Sequence, residues 1–145
     1  AMRMDAETYL RQLSNINASI NQDIDRLATL KNAATSSRAI DYSGARVQST
    51  MKDILCDAVT EIVSLDEAIN QKIDKYVAAK EHIIDQIRGL HNAIYNSILF
   101  NVYVLELPLK ATATEMGRSY NFIRVQHQAA LAAFEATYAN LDYLV

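Results

Sequence analysis

Apolar residues recur in steps of three and four from the start of the chain. Tyr9, Leu13, Ile16, Ile20, Ile24, Leu27 and Leu30 form one narrow stripe, with Arg11, Gln12, Asn15, Gln22, Asp23, Asp25 and Arg26 filling the gaps. This spacing places the apolar set on one face of an amphipathic helix over residues 5–34. Residues 35–50 contain Ser36, Ser37, Asp41, Ser43 and Gly44, which favour turns and caps, so the pattern predicts a surface connection. A second helix is expected over residues 51–90, uninterrupted by Gly or Pro until Gly89. Its stripe is Leu55, Ala58, Ile62, Leu65, Ile69, Ile73, Tyr76, Ile83, Ile87 and Leu90. The early steps alternate three and four, close to a heptad seam.

A helix of that length extends roughly 60 Å at 1.5 Å per residue, more than the width of a small globule. The first helix can cover about half of it. The remainder needs either the C-terminal segment or a second copy of the chain, and the narrow seam predicts a homodimer through the hairpin. Residues 94–145 are denser in apolar side chains: Ile98, Leu99, Phe100, Val102, Tyr103, Val104, Leu105 and Leu107 precede a break at Pro108. A short helical run follows over 109–116. Gly117 suits its end, Ser119 suits an N-cap, and a longer helix runs from 120 to at least 138. A short helix, a glycine turn and a longer helix form the helix-turn-helix pattern. The expected fold is all-α: a long antiparallel, coiled-coil-like helical hairpin over residues 1–92, then a helix-turn-helix module over 93–145.

Composition narrows the class. The 145 residues include 3 Gly and 1 Pro, too little punctuation for a turn-rich sandwich or barrel. A hydrophobic share of 50% separates the chain from disordered tails. One Cys excludes an internal disulfide framework and an all-Cys zinc site. No long uncharged apolar run suits a membrane span, and Ala1-Met2-Arg3-Met4-Asp5 lacks a leader core. A cytoplasmic chain without membrane partners is expected. The net charge of −3 argues against a strongly basic nucleic-acid binder but leaves room for a local basic surface.

Several residues in this framework match a known pattern. Ile98-Leu99, Tyr103, Ala113, Met116-Gly117, Ser119-Tyr120, Ile123, His127, Ala130-Leu131 and Phe134 follow one another without a gap. Upstream lie Arg46-Val47-Gln48-Ser49-Thr50 and Asp66-Glu67-Ala68-Ile69-Asn70 with Ile73-Asp74. The chain thereby resembles, over nearly its whole length, the ArpU-like small regulators of phages and prophages of Gram-positive bacteria, whose C-terminal part is similar to region 4 of sigma-70-type factors. The resemblance implies a helical hairpin followed by a DNA-binding helix-turn-helix that controls phage genes in the bacterial host cell. The chain differs from the family pattern where Val102 precedes Tyr103, at Leu109 and Thr112, and at Asn121, Val125 and Ala129.

On that reading the last helix enters the major groove by its N-terminal residues, so Ser119, Tyr120, Asn121, Arg124 and Gln128 are the candidate contacts. Asn and Gln can pair bidentately with adenine, and Arg with guanine. Lys110 and Arg118 supply the remaining positive charge of the module. From residue 95 onward these are three cations against four anions, Glu106, Glu115, Glu135 and Asp142. The expected partners are double-stranded promoter or operator DNA, host RNA polymerase and a second copy of the chain. The alternative is a helical adaptor or assembly protein that contacts a protein partner and no DNA.

Other chemistry finds little footing. His127 shares helical spacing with Ala130, Leu131 and Phe134 and reads as a half-buried packing residue with one nitrogen satisfied. Cys56, next to Leu55, reads as a small buried or half-buried apolar residue. Asp53, Asp57 and Glu61, and likewise Glu81 and Asp85, fall four apart as solvated acidic faces. Di-iron bundles need Glu-x-x-His motifs, and none of His82, His91 and His127 follows a glutamate by three. No metal site, cofactor or enzymatic constellation is expected. The tail with Tyr138, Leu141, Tyr143 and Leu144 suits either closure of the core, the favoured expectation, or a partner surface.

Overall fold

The protein is described here by a computed structural model. It describes the backbone of residues 4–38 and 45–144, and the side chains of residues 4–35, 53 and 56–144. The described residues are all-α, with no strand. The elements are α1 (Ala6–Arg38), α2 (Ala45–Arg88), α3 (Ala93–Leu99), α4 (Leu109–Met116) and α5 (Tyr120–Thr137); a π-helical turn, Phe100–Val104, continues α3. α1 and α2 make the long helical hairpin.

Each boundary has a local cause. The Asp5 carboxylate accepts the Thr8 amide at 2.7 Å and caps α1, and its bonds to Thr8 hold the carboxyl below its usual pKa. α1 runs beyond residue 34, and there Thr35 donates its hydroxyl to the Lys31 carbonyl at 2.9 Å, a bond compatible with helical backbone. α2 likewise begins at Ala45, before the expected start. Of the predicted connection, residues 39–44 lie outside the described residues. Asn92 caps α3 by accepting the amides of Ile94 and Tyr95. Periodicity does not single out α3, because its apolar residues are too crowded to define one face.

The chain packs as two units, one of residues 1–17 with 75–145 and one of residues 18–74. This division does not coincide with the sequence division at residues 92 and 93. The open end of the hairpin contributes to the same core as the C-terminal helices. In that unit Tyr9, Leu10 and Leu13 of α1 and Ala79, Ile83 and Ile87 of α2 join Leu99, Tyr103, Val104, Ala130, Leu131, Phe134 and Leu141. Phe134 is completely buried, between Tyr9 and Tyr138 with ring centroids at 5.8 and 4.9 Å. The tail closes this core. Leu141 is buried, the Tyr138 hydroxyl donates to the Gln86 carbonyl, and Gln12 bonds both the Asp142 carbonyl and the Leu144 amide. A Cβ at Gly89 would collide with the Tyr138 hydroxyl, so this position must stay small.

In the other unit the hairpin buries Ile20, Leu27 and Ile69 and half-buries Leu30, Ala58, Ile62 and Leu65. The seam then takes Lys72 rather than Ile73. Lys72 reaches Asp23 at 2.5 Å and the Ser19 hydroxyl at 3.0 Å. Ile73 and Ile24, expected in the stripes, are exposed. Cys56 is also exposed, contrary to its expected burial. It lies two residues before Ala58, about 200° around the helix from the seam at 100° per residue. The acidic side chains of Asp53, Asp57 and Glu61 face water as well.

Candidate nucleic-acid interface

The helix-turn-helix segment is built from α3, α4 and α5. Ile98, Ala113 and Ile123 form its own small core, with Ile94, Val102, Leu109, Met116 and Phe122 packed around them. Thr112 is wholly buried there and satisfies its hydroxyl on the Pro108 carbonyl at 3.1 Å.

The turn is fixed by backbone chemistry. Gly117 adopts φ 64 and ψ 35, its amide donates to the Thr114 carbonyl, and the Arg118 amide donates to the Ala113 carbonyl. These two bonds make a Schellman close to α4. Space for a methyl group is open at Gly117, so the conformation alone demands glycine. Gly117→Ala is expected to cost about 1–2 kcal/mol, the left-handed penalty of an L residue. A denaturant titration with an unchanged midpoint would contradict that backbone geometry. Ser119 then caps α5, its hydroxyl oxygen accepting the Phe122 amide at 3.1 Å.

The seven candidate contacts, Lys110, Arg118, Ser119, Tyr120, Asn121, Arg124 and Gln128, are all exposed. Asn121, Arg124 and Gln128 form a row along the outer face of α5, with half-exposed Val125 beside it. Arg124 donates to the Asn121 side-chain carbonyl at 3.0 Å, so the two side chains hold each other in place. The Arg118 guanidinium lies 5.0 Å from the centre of the Phe122 ring, an interaction that restrains the side chain while leaving its charge in water. Helical spacing does not reveal this stack, because Arg118 lies before the N-cap of α5 and outside the helix. The Ser119 oxygen is engaged as a cap, so its role in the structure is local.

Beyond Gln128 the surface changes sign. Asp5, Glu7 and Glu135 line a notch that also includes Gln128, Leu131 and Ala132. Glu135 accepts the Ala6 amide at 2.7 Å and Glu7 pairs with Arg11 at 2.6 Å. The cations Arg118 and Arg124 thus lie at and just before the N-terminal half of α5, and the acids lie farther along.

His127, on the inner face, is 7% exposed rather than half-buried. Its Nε2 shares a hydrogen bond of 2.8 Å with the Tyr103 hydroxyl, and Nδ1 has no partner. Tyr103 comes from the π-helical turn, in which Tyr103 and Val104 are both buried. Burial pushes the Tyr103 phenol up to about 12 and pulls His127 below its ordinary value of 6.5. The unfolded chain thus binds the His127 proton more readily than the folded chain. Its contribution to stability is complete above pH 6.5 and falls as pH drops toward the folded pKa. The melting temperature should fall between about pH 7 and pH 5, and His127→Phe should flatten that fall. Parallel profiles for the two proteins would exclude His127 as its source.

No helix among the described residues is long and apolar enough to cross a membrane. Comparison with protein-family models, with curated proteins and with solved structures finds no match for this chain.

Proposed function

We propose that the chain is a phage- or prophage-encoded transcriptional regulator that binds double-stranded DNA through α5, in the manner of the ArpU-like proteins it resembles. One observation carries this reading. The N-terminal half of a Ser-capped helix, held after a Schellman turn, presents Asn121, Arg124 and Gln128 in an outward row. A row of hydrogen-bonding side chains on the leading turns of a second helix is what major-groove readout requires. Lys110 and Arg118, both exposed, supply phosphate contacts. Few cations mean that affinity depends on base readout and on a second copy of the chain, and the same surface can meet host RNA polymerase beside a promoter.

Selection from a random duplex library tests the reading. Enrichment of a motif is expected, and Arg124→Ala should then weaken the enriched site by about 1–3 kcal/mol while relaxing one position of it. A library that emerges unenriched would overturn the reading. The second reading, a helical adaptor, is favoured by the half-exposed Val125 and exposed Tyr120 within the same row. Under that reading Val125→Asp abolishes capture of a host protein and Arg124→Ala does not.

A further inference from the structure

α2 carries a second row of residues on the side that the hairpin leaves open. Val59, Val63, Asp66, Asn70 and Ile73 follow one another in steps of four, three, four and three, and Val77 is next in the same register. The row lies about 100° round the helix from the seam formed by Ala58, Ile62, Leu65 and Ile69. Its apolar members are open to water, Val59 at 50%, Val63 at 52%, Ile73 at 37% and Val77 at 52%. Single exposed valines are ordinary. β-branched residues in heptad steps, here on either side of the polar pair Asp66 and Asn70, follow the spacing of a coiled-coil seam.

The order of the row identifies its occupant. Reversing the helix about its position 68 exchanges Val63 with Ile73 and Asp66 with Asn70, and brings Val59 onto Val77. Apolar residues therefore meet apolar residues, and the carboxylate meets an amide that can donate to it. We propose that this face is an antiparallel two-fold interface with a second copy of the chain, Val63 packing on the partner's Ile73 and Asp66 accepting from the partner's Asn70. A parallel pair would place Asp66 against its own copy, a like-charge contact removed from water. The reversed pair sets the two carboxylates about one helical turn apart, each against an amide, and the two central polar layers fix its register, since a slip of one heptad would set them against valine or isoleucine. The contact is isologous, so it closes at two copies. Glu67 meets its own copy only at the wet rim, where salt screens the repulsion.

This inference stands apart from DNA binding, because its test needs no DNA. In a Cys56→Ser background, the full chain is made with Val63→Cys, with Ile73→Cys and with both, and is treated with a short thiol crosslinker. The double variant should crosslink to a dimer. Each single variant should remain uncrosslinked, because its own copy is about 15 Å away along the axis. Sedimentation of the unmodified protein should give a dimer at tens of micromolar, shifted toward monomer by more than tenfold in the dissociation constant by Val63→Glu, with the helical circular dichroism of the variant unchanged. A monomer throughout would overturn the proposal, as would efficient crosslinking by Val63→Cys alone.

Discussion

Phe134→Ala is expected to remove about 3–5 kcal/mol of stability, the cost of truncating a buried phenylalanine. The ring has no exposed surface and meets both Tyr9 of α1 and Tyr138 after α5. Its removal leaves a void bounded by several elements whose positions are also set by hydrogen bonds. Tyr138 is tied to the Gln86 carbonyl, and the Glu135 carboxylate to the Ala6 amide. Those ties oppose collapse, which places the loss toward the upper end of the range. Domains have about 5–15 kcal/mol in total, so a loss near the upper end is about a third of that or more. A chemical denaturation curve measures this, and a loss below about 1 kcal/mol would mean that the ring is not enclosed as described.

Ile123→Ala is the second large effect, with an expected loss of about 2–5 kcal/mol. Ile123 is wholly buried and joins Ile98 of α3 and Ala113 of α4, so one side chain holds three helices together. This core is small and its neighbours, Met116 among them, are only partly buried. Methionine adapts to irregular gaps, which favours the lower end. The consequences should also be local. Hydrogen exchange should show α4 losing protection while the amides of α2 between residues 79 and 87 retain theirs. Equal loss in both would mean that the module has no core of its own.

Much of the fold was legible in the sequence because long amphipathic helices repeat their signal many times. The hairpin, the glycine end of α4 and the serine start of α5 each follow from a periodicity or from one residue with a strong conformational preference. The errors came from residues whose neighbours decide their fate. Ile73 and Lys72 exchange roles at the seam because Asp23 and Ser19 stand opposite Lys72. Cys56 follows Leu55 of the expected stripe in sequence, but one residue is 100° of helix rotation, and Cys56 is exposed. Tyr9 and Leu10 share a core with Phe134, and contacts between positions so far apart leave no trace in local spacing.

The candidate site was legible as a set of exposed positions and not as an arrangement. Spacing alone put Asn121, Arg124 and Gln128 on one face. It could not reveal that Arg124 is tied to Asn121, that Arg118 rests on Phe122, or that acids border Gln128. The pairing of Tyr103 with His127 was hidden for a different reason. The π-helical turn shifts the register of Tyr103, and no residue type announces such a turn in advance.

The measurement that bears most directly on the account is a titration of the folded chain with the duplex upstream of its own gene, followed by fluorescence anisotropy at several salt concentrations. Two phosphate-contacting cations per module, Lys110 and Arg118, predict sequence-selective binding whose logarithm falls with the logarithm of salt at a slope of about −2 per module, and Arg124→Ala should remove most of the selectivity. A folded protein that fails to bind this duplex even at low salt, or binds every duplex equally, would contradict the claim that α5 reads DNA.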